Sequence, residues 1–256
     1  MTAIGDEVLW LCPSLDDTGN GTTTVYDLAG SHDMTLNNTE TGDWISDIRN
    51  GGIRSLILDG TNEYGTVADS SDLSFVGGSP DLPFTVSMWF TLDANPSVAG
   101  LIGKASSFNA GEWVMYLSSG TIVFRCIDDS AASFIGRVTG VVAAQAVKLT
   151  QSYYHVLVTY SGSGASSGIK IYLNGVQADI SDAASGTYSG MENLTTPLYV
   201  AARGTSNTLP GNIDDIRLFN RVVTSDEIKT LCAMRTGRVT AGGIIANPGF
   251  GGGFNG

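Results

Sequence analysis

The chain has 256 residues, 42% of them hydrophobic, enough to bury a sizeable core. Lengths of roughly 200 to 250 residues are ordinary for a single β-sandwich, so one domain is expected. With 13 Lys and Arg against 25 Asp and Glu, a formal net charge of -12 repels phosphate backbones and anionic headgroups, which argues against nucleic acid and membrane surfaces as partners. No apolar run approaches the roughly 20 residues that a membrane-spanning helix needs, and MTAIGDEVLW lacks a basic segment followed by an apolar one, so membrane insertion and an export signal are not expected.

From residue 53 onward, short β-type runs recur between clusters of Gly, Ser, Asn and Asp, the spacing of an all-β sandwich. PFTVSMWFTLD alternates Phe84, Val86, Met88 and Phe90 with Thr85, Ser87, Trp89 and Thr91, the pattern of a half-buried strand. HVLVTYS, GIKIYLNG and VQADI read likewise as strands. Asn174-Gly175 predicts a two-residue hairpin, because both central positions of a type I′ turn need positive φ. TSDEIKTLCAM predicts one helix, with Thr224 and Glu227 as a capping box and Ile228, Leu231 and Cys232 at helical spacing. The domain is expected to end near residue 235. Residues 236–256, TGRVTAGGIIANPGFGGGFNG, are too Gly-rich to build a core. Their isolated apolar residues Ile244, Ile245, Phe250 and Phe254 mark an assembly arm that orders against a partner, with a fraying terminus as the alternative.

In GNIDDIRLFNR, Asp214 and Asp215 stand side by side on a predicted strand. Neighbouring strand residues point to opposite faces, so an acid/base pair is disfavoured, and Asp215 is expected to be solvated or paired with Arg217. Cys12, Cys126 and Cys232 are far apart, odd in number and without metal-ligand spacing, which suits buried thiols. His155 sits in an apolar run with no nucleophile motif and reads as a structural histidine. Asn20, Asn37 and Asn193 open N-x-T triplets, which carry little weight in a Thr-rich chain without an export signal.

Taken in order, SLILDGTNEYGTVADSSDLSF, LPFTVSMWFTLD, GEWVMYLSSGTIVFRCID, YYHVLVTYSG, IKIYLNGVQ, PLYVAARG and GNIDDIRLFNRVVTSDEI resemble the laminin-G-like, concanavalin A-like jelly-roll family over residues 8 to 232. One departure is visible: Tyr153 and Tyr154 stand where the family commonly has a tryptophan. The resemblance implies an all-β, two-sheet antiparallel jelly-roll sandwich with one short C-terminal helix and a Gly-rich tail. It also implies a structural Ca2+ at the sandwich edge, with Asp59 and Asp214 at the matching positions; the plainer alternatives are a side-chain-led turn at Asp59 and a strand-end cap at Asp214.

A glucan-cleaving member would carry a Glu-x-Asp-x-x-Glu strand, and none is present, so an enzyme is not expected. Sugar binding needs exposed aromatic rings with polar neighbours; by residue type the candidates are Trp113, Tyr116, Tyr199 and Arg203, and each is also an ordinary sandwich residue. The leading expectation is a non-enzymatic surface protein, a bacteriophage virion component such as a capsid decoration or fibre protein. It would assemble in the host cytoplasm with other virion proteins or as a homo-oligomer, and would bind host-surface glycans. The alternative is a carbohydrate-binding module of an extracellular protein, with a glycoside hydrolase third.

Overall fold

The computed structural model describes residues 3–15, 23–40, 43, 46–47, 53–78, 81–107, 109–141, 153–234, 238–240 and 243–245. In chain order the strands are β1 (Glu7–Leu11), β2 (Thr24–Val25), β3 (Met34–Asn37), β4 (Ser46–Asp47), β5 (Ile53–Arg54), β6 (Leu56–Asp59), β7 (Tyr64–Val67), β8 (Phe84–Phe90), β9 (Val98–Ser107) and β10 (Ala110–Ser118). They continue with β11 (Thr121–Asp128), β12 (Ser133–Thr139), β13 (Tyr154–Tyr160), β14 (Ile169–Leu173), β15 (Val176–Gln177), β16 (Asp179–Asp182), β17 (Leu198–Val200), β18 (Pro210–Phe219), β19 (Arg238–Thr240) and β20 (Gly243–Ile245). Helix α1 (Ser225–Ala233) follows β18. Among the described residues no helix is long and apolar enough to cross a membrane.

Two antiparallel sheets face each other, as the sequence predicts. One has seven strands in the order β1-β18-β8-β13-β14-β15, with β6 also on β18; the other has nine, β16-β12-β11-β10-β9-β17-β7-β3-β2. Phe84, Val86, Met88 and Phe90 of β8 meet Trp113, Met115 and Phe124 of the opposite sheet in one core. Aromatic rings fill its centre: Phe84 stacks on Phe75 at 4.2 Å and meets Tyr160 edge-on at 5.9 Å.

The expectation that β8 is half-buried is corrected by the structure, because every residue of the strand is buried. The physical reason lies on the outer face: Thr85 is held by Arg221 O and Val223 N, Ser87 bonds to His155, Trp89 packs on the His155 ring, and α1 covers the neighbouring strands. Ile228 and Leu231 of the helix, with Val223, lie on Leu157 and Phe219 of the outer face, turning a two-layer sandwich locally into three layers. The helix starts as predicted, with Thr224 Oγ1 accepting from Glu227 N at 3.3 Å and the Glu227 carboxylate accepting from Thr224 N at 2.7 Å.

The predicted hairpin is also present. Asn174 and Gly175 have φ of 48° and 78°, and Leu173 pairs with Val176. VQADI, read as one strand, divides: β15 pairs with β14 in the seven-stranded sheet, whereas β16 pairs with β12 in the nine-stranded one. The tyrosines that replace the family's tryptophan contribute to the core edge, Tyr153 through a hydroxyl bond to Ser55 Oγ at 2.6 Å and Tyr154 through ring contact with Phe90.

Candidate functional site

The two aspartates matched to a calcium site are not brought together. Asp59 pairs with Pro210 at the start of β18, so Asp214 lies four residues further along the strand, roughly 13 Å away at strand rise. Asp59 is exposed and its Oδ1 accepts from Thr61 N at 2.7 Å, a side-chain-led turn whose backbone hydrogen bond holds the carboxyl below its usual range. Asp214 is fully buried, and its Oδ1 accepts from Ser14 N at 3.0 Å. The two therefore cannot ligate one ion, and among the described residues no group of three His, Cys, Asp or Glu is arranged to hold a metal.

The remaining buried carboxylates are also committed to structure. Glu112 Oε1 accepts from Ser74 Oγ at 3.1 Å and Leu194 N at 3.0 Å, and lies 3.2 Å from Lys104 Nζ. Asp81 accepts from the hydroxyls of Tyr160 and Tyr188 and from Met191 N. Asp27 accepts from the backbone of Trp10, Ala29 and His32. His155 shares a hydrogen bond with Ser87 Oγ at 2.8 Å, and full burial holds its imidazole down to about 3, so it stays neutral.

Of the four sugar-contact candidates, Trp113 is corrected by the structure. It is fully buried in the inter-sheet core, its indole N–H donating to Leu73 O at 3.4 Å. The other three share the outer face of the nine-stranded sheet. A single row of paired residues crosses that face: Thr35, Thr66, Tyr199, Gly103, Val114, Arg125 and Gly136. Tyr116 projects next to this row from β10, and its phenol lies close to both Arg125 and Arg203.

That face has two unlike halves. Over β10, β11 and β12, Val114, Tyr116, Val123 and Ile127 form a second apolar cluster with Phe134 and Val138. Tyr116 is only 4% exposed, and the Arg125 guanidinium lies 3.8 Å from the Phe134 ring centroid. Over β3, β7 and β17 the side chains remain reachable. Tyr64 and Tyr199 are half-buried, with ring centroids 6.3 Å apart at 43°. Beside them Asn37 Nδ2 donates to Thr66 Oγ1 at 3.1 Å and Thr35 O at 3.2 Å. In the sequence Tyr64 stands out only as the tyrosine behind LDG in the family-like stretch; its partnership with Tyr199 depends on pairing of β17 with β7, strands about 130 residues apart.

Comparison with known proteins agrees with this architecture. No curated protein sequence matches the chain. The solved structures it resembles include the receptor-binding domain of botulinum neurotoxin C/D mosaic serotype, 14% identical with a TM-score of 0.63, covering 89% of this chain and 51% of that one. The binding domain of botulinum neurotoxin DC, solved with rat synaptotagmin II, is 16% identical with a TM-score of 0.61, covering 90% of this chain and 52% of that one. The binding domain of Paraclostridial Mosquitocidal Protein 1 is 17% identical with a TM-score of 0.60, covering 89% and 52%. The chain thus spans about half the length of these domains, and at such identities the likeness concerns the fold. Residues 59–229 match a laminin G family model described as the concanavalin A-like lectin/glucanases superfamily. Two facing antiparallel sheets, the strand order and a family match across most of the chain place this protein in the concanavalin A-like lectin/glucanase superfamily.

Proposed function

We propose that this is a non-enzymatic binding domain that recognises glycans through the outer face of its nine-stranded sheet. The observation that carries the reading is the juxtaposition of reachable tyrosines with amide and hydroxyl groups on one sheet face, the combination that sugar rings require. The commitment of Glu112, Asp81 and Asp27 to backbone and side-chain donors supports the absence of hydrolysis: a general acid and its partner need carboxylates free to face a substrate. The solved relatives are receptor-binding and binding domains, which agrees with a recognition role. A glycan array with purified protein tests the reading; saturable binding to a sugar class supports it, and silence across the array removes it.

A bacteriophage virion setting is the finer reading. Its support is that the three cysteines are thiols and not disulfides, which suits assembly in a reducing cytoplasm. The mass and composition of the native assembly test it: co-purification with capsid or fibre proteins supports it, and a free secreted monomer overturns it.

A further inference from the structure

Lys104, on β9, has no exposed side-chain surface, and oxygen atoms from three other segments close on its Nζ. Asp69 Oδ1, from the segment after β7, stands 2.5 Å away; Glu112 Oε1, from β10, stands 3.2 Å away; and Nζ donates to Ser74 Oγ at 2.8 Å. One carboxylate would suffice to pair a buried ammonium. Here there are two, and they differ in access: the Glu112 side chain is 0% exposed and that of Asp69 31%.

Glu112 is placed to carry a proton. Its Oε1 accepts from Ser74 Oγ at 3.1 Å and Leu194 N at 3.0 Å, whereas its buried Oε2 has no hydrogen-bond partner among the described residues. A carboxylate oxygen left bare in the interior is costly, and burial raises the Glu112 carboxyl above its ordinary range, so the group readily takes up a proton. That proton can leave Nζ directly across 3.2 Å or through the Ser74 hydroxyl. Its loss gives Lys104 a nucleophilic lone pair beside Asp69. With Oδ1 at 2.5 Å from Nζ, the carboxyl carbon one C–O bond further on is no more than about 3.7 Å away, close to the roughly 3–3.5 Å of a near-attack pair.

We propose that Lys104 and Asp69 join in an amide bond that the folded chain makes by itself, with Glu112 relaying the protons. The Lys104 nitrogen bonds to the Asp69 carboxyl carbon, and the bond from that carbon to one of its oxygens breaks. Of the three ammonium protons one stays on the amide nitrogen and two leave with the oxygen as water, so Glu112 ends as it began and no oxidant or cofactor enters. Asp69 is the acyl partner because it is nearer to Nζ and its partial exposure gives the water a way out. The fold favours the bond by holding the two groups in place, and the reaction removes two charges from a buried site. The link ties the end of β7 to β9, the two neighbours of β17.

Intact-mass measurement on the denatured full chain tests the proposal. Expected are a mass one water below that of the sequence and, after proteolysis, a branched peptide joining the segments that hold Lys104 and Asp69. Lys104→Arg and Glu112→Gln should each restore the full mass, the second with the shape of the site retained and the fold checked by circular dichroism. The parent chain decides whether the bond exists even where a variant does not fold. A parent at its full sequence mass, or a loss of water that maps to other residues, overturns the proposal; a folded Glu112→Gln chain that still links Lys104 to Asp69 overturns the role given to Glu112.

Discussion

Arg217 Nε donates to Asp215 Oδ1 at 2.8 Å, an ion pair between residues two apart on β18, where Asp215 takes a left-handed φ of 46°. The same oxygen accepts from the Trp10 indole at 2.8 Å. Against β8 the register runs Asp214 to Trp89 and then Arg217 to Ser87, so β18 carries an extra residue there, the mark of a β-bulge. On the other edge, β18 changes partner at this point, from β6 up to Ile213 to β1 from Ile216. The adjacent aspartates thus occupy a strand junction: Asp214 ties down the segment at Ser14, and Asp215 joins β1 to β18.

Arg217 also lies 3.0 Å from Glu7 Oε1 and over the Trp10 ring at 4.1 Å, with no exposed side-chain surface. Arg217→Met should therefore leave buried carboxylates uncompensated and destabilise the domain by about 3–5 kcal/mol. Asp215→Asn should cost less, since an amide oxygen can still accept from Trp10. Urea denaturation measures both; a loss below about 1 kcal/mol for Arg217→Met would be the value of a surface pair and would contradict the hub assigned to it.

Lys104 and Glu112 make a second buried pair, at 3.2 Å with neither side chain exposed. Lys104→Met alone should cost about 3–5 kcal/mol, and the double change Lys104→Met with Glu112→Leu should recover much of it. An additive double variant would show that the two groups do not interact.

Two buried groups give opposite pH dependences. Burial pushes the Glu63 carboxyl up from 4.5 to about 7, so the folded state binds the proton more tightly: its stabilisation is complete below about 4.5 and is lost as pH rises through 7. Burial holds His155 down from 6.5 to about 3; the unfolded chain binds this proton, so stability is complete above 6.5 and is lost as pH falls towards 3. Between about 4.5 and 6.5 the slopes oppose each other. Glu63→Gln should uncover a rise of stability with pH, approaching 1.4 kcal/mol per pH unit, and His155→Gln a decline. Urea midpoints across this window check the signs, and a parallel shift of both variants would contradict the assignments.

Among the described residues, β19 and β20 pair only with each other and join neither main sheet. Truncation after residue 235 should therefore change stability by less than about 1 kcal/mol, or 2–4 °C in Tm for a domain of this size. The assembly role proposed for the tail is separable: Ile244 and Ile245 fall in β20, while Phe250 and Phe254 lie outside the described residues. Deleting residues 240–256 should abolish incorporation into a particle and leave the sandwich intact; normal incorporation would move docking onto the sandwich.

What the sequence made legible was local. Alternation in β8, the Asn174-Gly175 turn and the Thr224–Glu227 box depend on neighbours within a few residues, and all three are present. The resemblance supplied the sheet architecture. What it could not supply was exposure, because period two says that Trp113 and Tyr116 face opposite ways without saying what covers either face. Trp113 went inward, and Tyr116 went outward beneath Arg125. The Tyr64–Tyr199 contact and the bulge at Asp215 both depend on pairing between distant strands, for which a single sequence holds no local signal.

The place of β18 has a consequence for the nascent chain. Its neighbours β1, β6 and β8 end by residue 90, yet each meets β18 only after residues 210–219 are made. At a synthesis rate of about 5–20 residues per second, β6 waits roughly ten to thirty seconds for its partner. β17 is similarly late between β7 and β9. Neither sheet can close on a growing chain, so apolar strand edges stay open through most of translation, and crowding of ribosomes on one message is when this domain is most exposed to mispairing with its own copies.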